Sequence, residues 1–120
     1  MNFQLTLHET PPSLNRYTGG ARGAYYRSKK AWQKQLGTAL MVARVPRELS
    51  RVVATAELTF PVKRRRDEGN LRFMLEKSLG DILVEGGWLP DDTPDAFSFG
   101  ELRISEVRGG PLTVVSLEAE

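Results

Sequence analysis

From Arg51 to Phe60 the residues alternate strictly. Val52, Ala54, Ala56, Leu58 and Phe60 fall on one side, and Val53, Thr55, Glu57 and Thr59 on the other. A period of two with one apolar side marks a strand with one buried face. Pro61 ends the pattern, and the period then changes. Leu71, Leu75, Leu79 and Ile82 recur at helical spacing. Asp67 or Asn70 can cap this helix, and Gly86-Gly87 ends it after Glu85. A strand that feeds an amphipathic helix commits the region to a sheet with a helix packed on it.

The flanking segments extend that plan. Phe3, Leu5 and Leu7 alternate with polar neighbours, and Pro11-Pro12 stops this first strand. Ser28 can cap a helix running to about Ala43, with Trp32, Leu36, Ala39, Leu40 and Ala43 as its buried stripe. It stops near Val45-Pro46, because the residue before a proline resists helical geometry. Phe99 to Val107 reads as a strand with Leu102 and Ile104 on its apolar side. Arg108-Gly109-Gly110-Pro111 turns the chain, and Leu112 to Leu117 returns as a β-branched strand, so this pair is expected as an antiparallel hairpin. The order β-α-β-α-β-β predicts an α/β fold, a mixed sheet with two packed helices, in a single domain over residues 1–120.

Composition narrows the classes. The 120 residues are 40% hydrophobic and 27% charged, as in an ordinary globular domain with a real core. With no cysteine there are no disulfides or thiolate metal sites, which fits a reducing interior. No apolar run approaches the roughly 18 residues that span a membrane. Met1 leads directly into a strand pattern, so no signal peptide is expected. The net charge of +2 says less than its distribution, with cations in the first two thirds and acids toward the C-terminus.

Chemistry concentrates at Arg64-Arg65-Arg66-Asp67-Glu68-Gly69-Asn70 and at Asp91-Asp92. Acids beside a basic run can hold a divalent metal ion while the cations hold a polyanion against it. On a helix at about 100° per residue, Asn70, Met74, Lys77 and Asp81 share a stripe beside the apolar one, with Asp67 at its root. The plainer account is a solvated flank in which Lys77 and Asp81 form an i,i+4 pair. Asp91, Asp92 and Asp95 crowd a loop containing two prolines, where they repel one another unless a cation or water relieves them; Asp also favours turns for backbone reasons. The loop from Ser13 to Gly23 carries Asn15, Arg16, Tyr17 and Arg22, and Tyr25, Tyr26, Arg27, Lys29 and Lys30 follow. Rings among cations suit nucleic acid; a surface loop whose tyrosines pack on the sheet is the alternative.

These pieces resemble the RusA family of Holliday-junction resolvases, including phage and prophage versions. The likeness spans most of the chain. It runs through Pro11-Pro12-Ser13-Leu14-Asn15-Arg16-Tyr17, then Arg64-Arg65-Arg66-Asp67 with Asn70, then Lys77 with Asp81, and closes with Gly87-Trp88-Leu89-Pro90-Asp91-Asp92. The resemblance implies a small homodimeric nuclease of DNA recombination and repair, cytoplasmic in a bacterium or a phage-infected cell, with no membrane association. It would bind four-way DNA junctions and use Mg²⁺ to hydrolyse a phosphodiester in each of two strands. By motif position Asp67 and Asp92 are the first metal-binding acids, with Asp91 beside the latter, Lys77 is the functional lysine and Asp81 the helix acid one turn on. Two departures stand out. Gly69 occupies the place of the motif's second aspartate, so a ligand is missing or Glu68 or Asp81 replaces it. The interval from Asn70 to Lys77 is one turn longer, which keeps the stripe in phase.

On this reading Asp67, Asp81 and Asp92 converge on one Mg²⁺ site. Lys77 neutralises the scissile phosphate. Lys63, Arg64, Arg65, Arg66, Arg27, Lys29 and Lys30 bind flanking phosphates, with Asn70, Asn15, Arg16 and Tyr17 also facing DNA. Two other classes are open: a branched-DNA-binding protein of the same fold that cuts weakly or not at all, and a protein-interaction domain using the Tyr- and Arg-rich loop.

Overall fold

The computed structural model describes residues 1–12, 22–63, 66–107 and 109–120. The elements are β1 (Asn2–Leu7), α1 (Arg22–Val42), β2 (Val52–Phe60), α2 (Glu68–Glu85), β3 (Phe97–Glu106) and β4 (Leu112–Ala119). The α/β class and the β-α-β-α-β-β order are as the periodicities predict. The four strands form one mixed sheet in the order β1-β4-β2-β3. β2 runs parallel to β3 and antiparallel to β4, and β1 is antiparallel to β4.

Both helices cover one face. Trp32, Leu36 and Leu40 of α1 and Leu71, Leu75, Leu79 and Leu83 of α2 join Leu5, Leu7, Val52, Ala54, Leu58, Val115 and Leu117 in a single core. The partner residues along β2, Thr55 and Glu57, face solvent. The two helices pack side by side at Gly37, where a Cβ would be in ordinary contact, 3.4 Å, with the Ile82 side chain. No helix among the described residues is long and apolar enough to cross a membrane.

α1 starts at Arg22, earlier than a Ser28 cap predicts. The half-buried stripe continues backward through Ala24, Tyr25 and Ser28, in phase with Trp32, so the first turns gain burial. Tyr25, Tyr26 and Arg27 are therefore helical. β3 likewise starts two residues early, at Phe97, because Phe97 and Phe99 both bury their rings, at 7% and 8% exposure.

The hairpin is the larger correction: β4 does not pair with β3. The parallel β2-α2-β3 crossover places β3 on one side of β2, and β4 takes the other side over eight residue pairs, from Val52↔Ala119 to Thr59↔Leu112. A centre strand suits Leu112-Thr113-Val114-Val115, whose residues are all buried or half-buried. Stepping over β2 spans two strand spacings, about 10 Å, and the connection crosses the end of β2 closely. Val107 N donates to Phe60 O at 3.0 Å. A Cβ on Gly110 would lie 2.9 Å from Thr59 O and 3.2 Å from Pro61 N. Gly110→Ala should therefore destabilise the fold by about 1–3 kcal/mol, read as a lower urea midpoint at unchanged m-value; an unchanged midpoint would show that the crossing is not tight.

Candidate functional site: the groove between α2 and β3

The end of α2 is stitched to the segment after α1. Trp88 is buried, and its Nε1 donates to Val45 O at 3.0 Å. Leu49 N donates to Trp88 O at 2.9 Å, and Arg47 stacks on the Trp88 ring with its Nε donating to Gly86 O at 2.7 Å. From this anchor the chain turns back along α2 as Pro90-Asp91-Asp92. Asp92 N donates to Asp91 Oδ1 at 2.8 Å, so the Asp91 carboxylate shapes the turn. Ala96 N and Phe97 N both donate to Thr93 O, which delivers the chain into β3.

Gly80 makes the close return possible. A Cβ there would sit 3.3 Å from the Phe97 ring and 3.8 Å from Asp92 Cβ. The result is a groove of about 530 Å³ between α2 and the start of β3. Its helix wall is Phe73, Glu76, Lys77 and Gly80, and Asp92, Pro94 and the Phe97-Ser98-Phe99 strand face it. Phe73 is 54% exposed although it is a large apolar ring. Glu76 is a groove acid that periodicity did not single out. Its position at i−1 of Lys77 carries no signal until the loop folds back opposite.

Asp81 lies one turn beyond Lys77. Its Oδ1 is 3.2 Å from Lys77 Nζ and its Oδ2 3.6 Å from Lys29 Nζ of α1. Two ammonium groups share one carboxylate, so the trio keeps a positive charge at the lip of the groove. This is the i,i+4 pair that spacing allowed, extended to a second helix. Asp81 positions lysines here and does not face the groove.

Asp67 stands elsewhere. It is the N-cap of α2, and its Oδ1 accepts from Asn70 N at 3.1 Å. Gly80 follows it by thirteen residues, which at 1.5 Å each is about 20 Å. Within one chain Asp67 and the exposed Glu68 of the first turn are thus remote from Asp92, and the expected convergence of positions 67, 81 and 92 does not occur. Among the described residues no three His, Asp or Glu side chains cluster as a metal cage.

The cations divide. Arg66 is engaged with the fold: it pairs with Glu106 Oε1 at 3.1 Å, donates to Val62 O at 2.5 Å and stacks on Phe60 at 3.7 Å. Arg72 donates to Phe99 O at 2.8 Å beside the groove, and its Nε lies 3.9 Å from Glu76 Oε2, an exposed i,i+4 pair. Lys63 is exposed, as are Tyr26, Arg27, Lys30 and Lys34, which share one face of α1. Burial, and then Tyr26, raise the Tyr25 phenol above its ordinary pKa. Asn15, Arg16, Tyr17, Arg64 and Arg65 lie outside the described residues.

No protein-family model matches the chain. No curated protein matches it either.

Because Asp67 caps α2, Asp67→Ala should cost about 1 kcal/mol, while Asp67→Asn, which keeps an accepting oxygen, should cost a few tenths. Denaturant unfolding of the two variants checks this, and equal losses would remove the cap from the account.

Proposed function

We propose that this protein is a Mg²⁺-dependent, structure-specific endonuclease that cuts four-way DNA junctions as a homodimer, in a bacterial or phage-infected cytoplasm. The observation that carries the reading is the groove that sets Lys77 opposite Asp92, with Glu76 on the same wall. The resemblance to RusA resolvases, through Asp92, Lys77 and the run of arginines that precedes Asp67 in sequence, supplies the substrate class.

The donor set suits Mg²⁺, which keeps several waters and takes one or two carboxylates together with substrate phosphate oxygens. Asp92 and Glu76 would hold it. A bound Mg²⁺ supplies charge neutralisation at the phosphate and a more acidic water. Lys77, steadied by Asp81, would place its ammonium against the non-bridging oxygens, where charge builds during hydrolysis. Arg27, Lys30 and Lys63 would meet flanking phosphates without reading sequence, and Tyr26 offers a ring for an unpaired base. Asp67, a helix length away, would reach such a groove only from a second chain. That agrees with the two-fold symmetry of a four-way junction.

A binder that does not cut is the second reading. It is favoured by Asp67 serving as a cap and by Gly69 standing where an acid is expected. Labelled junction DNA with Mg²⁺ or EDTA separates the two. The nuclease gives paired nicks only with Mg²⁺, and Asp92→Asn or Lys77→Ala lowers the rate by about 10²-fold or more while the junction still shifts on a gel. Wild-type protein that shifts the junction and never nicks it would establish the binder. The pair Arg27→Ala and Lys30→Ala should weaken junction binding and reduce the slope of log K against log salt by roughly 2, close to one per lost phosphate contact.

A further inference from the structure

β3 is an edge strand. It runs ten residues, from Phe97 to Glu106, and among the described residues has β2 on one side only. Its regular stretch from Leu102 to Glu106 offers roughly 16 Å of edge at about 3.3 Å per residue. Natural edges are usually short, bulged or guarded by lysine or proline; β3 contains neither of those residues, and its one irregularity is an extra residue between Phe99 and Leu102, where the pairing with β2 steps from Ala54↔Phe99 to Ala56↔Leu102. Its charged residues are Glu101, Arg103 and the terminal Glu106. Arg103 Nε lies 3.0 Å from Glu101 Oε1, with the two side chains 69% and 63% exposed. Leu102 between them is buried on the helix-covered side, so Glu101 and Arg103 stand on the open face of the sheet.

That order of charges is self-complementary. Consider two copies of β3 running antiparallel about a two-fold axis through Leu102. Leu102 then faces its own copy, Glu101 faces Arg103, and Arg103 faces Glu101. Moving the axis one residue either way sets Glu101 against Glu101 or Arg103 against Arg103, which is repulsive. Arg103 also pairs across the sheet with Glu57 of β2. In the register centred on Leu102 each arginine therefore lies between two acids, Glu57 of its own chain and Glu101 of the other.

We infer that the outer edge of β3 is the docking surface for a second copy of this chain, which adds its own β3 antiparallel about Leu102 and joins two four-stranded sheets into one. Main-chain hydrogen bonds supply the association, and the Glu101–Arg103 exchange sets the register. Arg72 already holds the Phe99 carbonyl, so the pairing centres on Gly100 to Ile104. Beyond Gly100 the extra residue of β3 breaks the residue-by-residue register, but the antiparallel sense still brings the Glu106 end of the second copy, with the Arg66 it binds, toward the groove. This interface rests on the preceding reading for its purpose, since that reading calls for a dimer; its geometry stands on the strand alone.

Sedimentation equilibrium of the full chain at micromolar concentrations tests it, with far-UV circular dichroism confirming that each variant folds. Wild type should sediment as a dimer. Glu101→Arg alone, or Arg103→Glu alone, sets like charges against each other at both symmetry-related positions and should raise the dimer Kd at least about tenfold. The double variant carrying both substitutions restores opposite charges and should restore the dimer. A monomeric wild type, a dimer indifferent to the single reversals, or a double variant that stays dissociated would each overturn the interface. Junction cleavage assayed on the same samples separates this from the nuclease reading: a dimer that follows the charge pattern and never cuts keeps the interface and removes the nuclease.

Discussion

The unbroken length of α2 governs what the rest of the molecule can do. Leu71, Met74, Leu75, Leu79 and Leu83 are at most 5% exposed and hold all 18 residues of the helix against the sheet. A helix packed along its whole length cannot bring its two ends together. Whatever is attached at Asp67 stays at one end of the parallel β2-α2-β3 unit, and whatever the loop after Glu85 carries stays toward the other. Among the described residues there are therefore two polar centres: a capped corner where β2 meets α2, which holds Arg66, and a groove where the loop folds back on Gly80.

The two centres are built with different firmness. The corner spends its charges on itself, with Asp67 on the helix amides and Arg66 on Glu106, Val62 and Phe60. The groove sets Glu76, Lys77 and Asp92 at a wall with an exposed ring, Phe73, and among the described residues its two helix charges are held only by exposed one-turn pairs, Glu76 with Arg72 and Lys77 with Asp81. Lys77 is held from behind, because Asp81 ties it to Lys29 and so to α1. A pair this exposed adds little to stability. Its consequence is positional, since it limits where the ammonium can go and leaves the trio positive.

Much of the fold was legible, and the reasons are local. β1 and β2 followed from strict alternation, and α2 from leucines at helical spacing with an aspartate at its cap. Strand order was not legible, because Arg108-Gly109-Gly110-Pro111 reads equally well as a hairpin turn or as a step across β2, and long-range pairing decides. The early start of α1 is not legible from a capping signal, because Tyr25 suits a ring among cations and also continues the half-buried stripe of Trp32, and only packing decides between them. At the site, the Lys77–Asp81 pair was legible from spacing alone. The distance from Asp67 to Asp81 was legible too, since fourteen residues of helix at 1.5 Å each fix it at about 21 Å. Glu76 was hidden, because only the return of the loop over Gly80 gives it an acid to face.

The separation of the two centres also bears on symmetry. A helix that keeps two polar sites about 20 Å apart in one chain lets those sites meet between chains, provided the second copy runs the opposite way. An antiparallel partner turns the far end of one unit toward the near end of the other, and a parallel one does not. Only a two-fold axis does this identically for both copies and leaves two equivalent places where corner and groove approach. The edge of β3 is where such an axis can pass, because β1 and β4 lie across the sheet from the groove and α1 covers the other flank of α2. The rigidity that divides the acids of one chain is thus also what would set the geometry of a shared site.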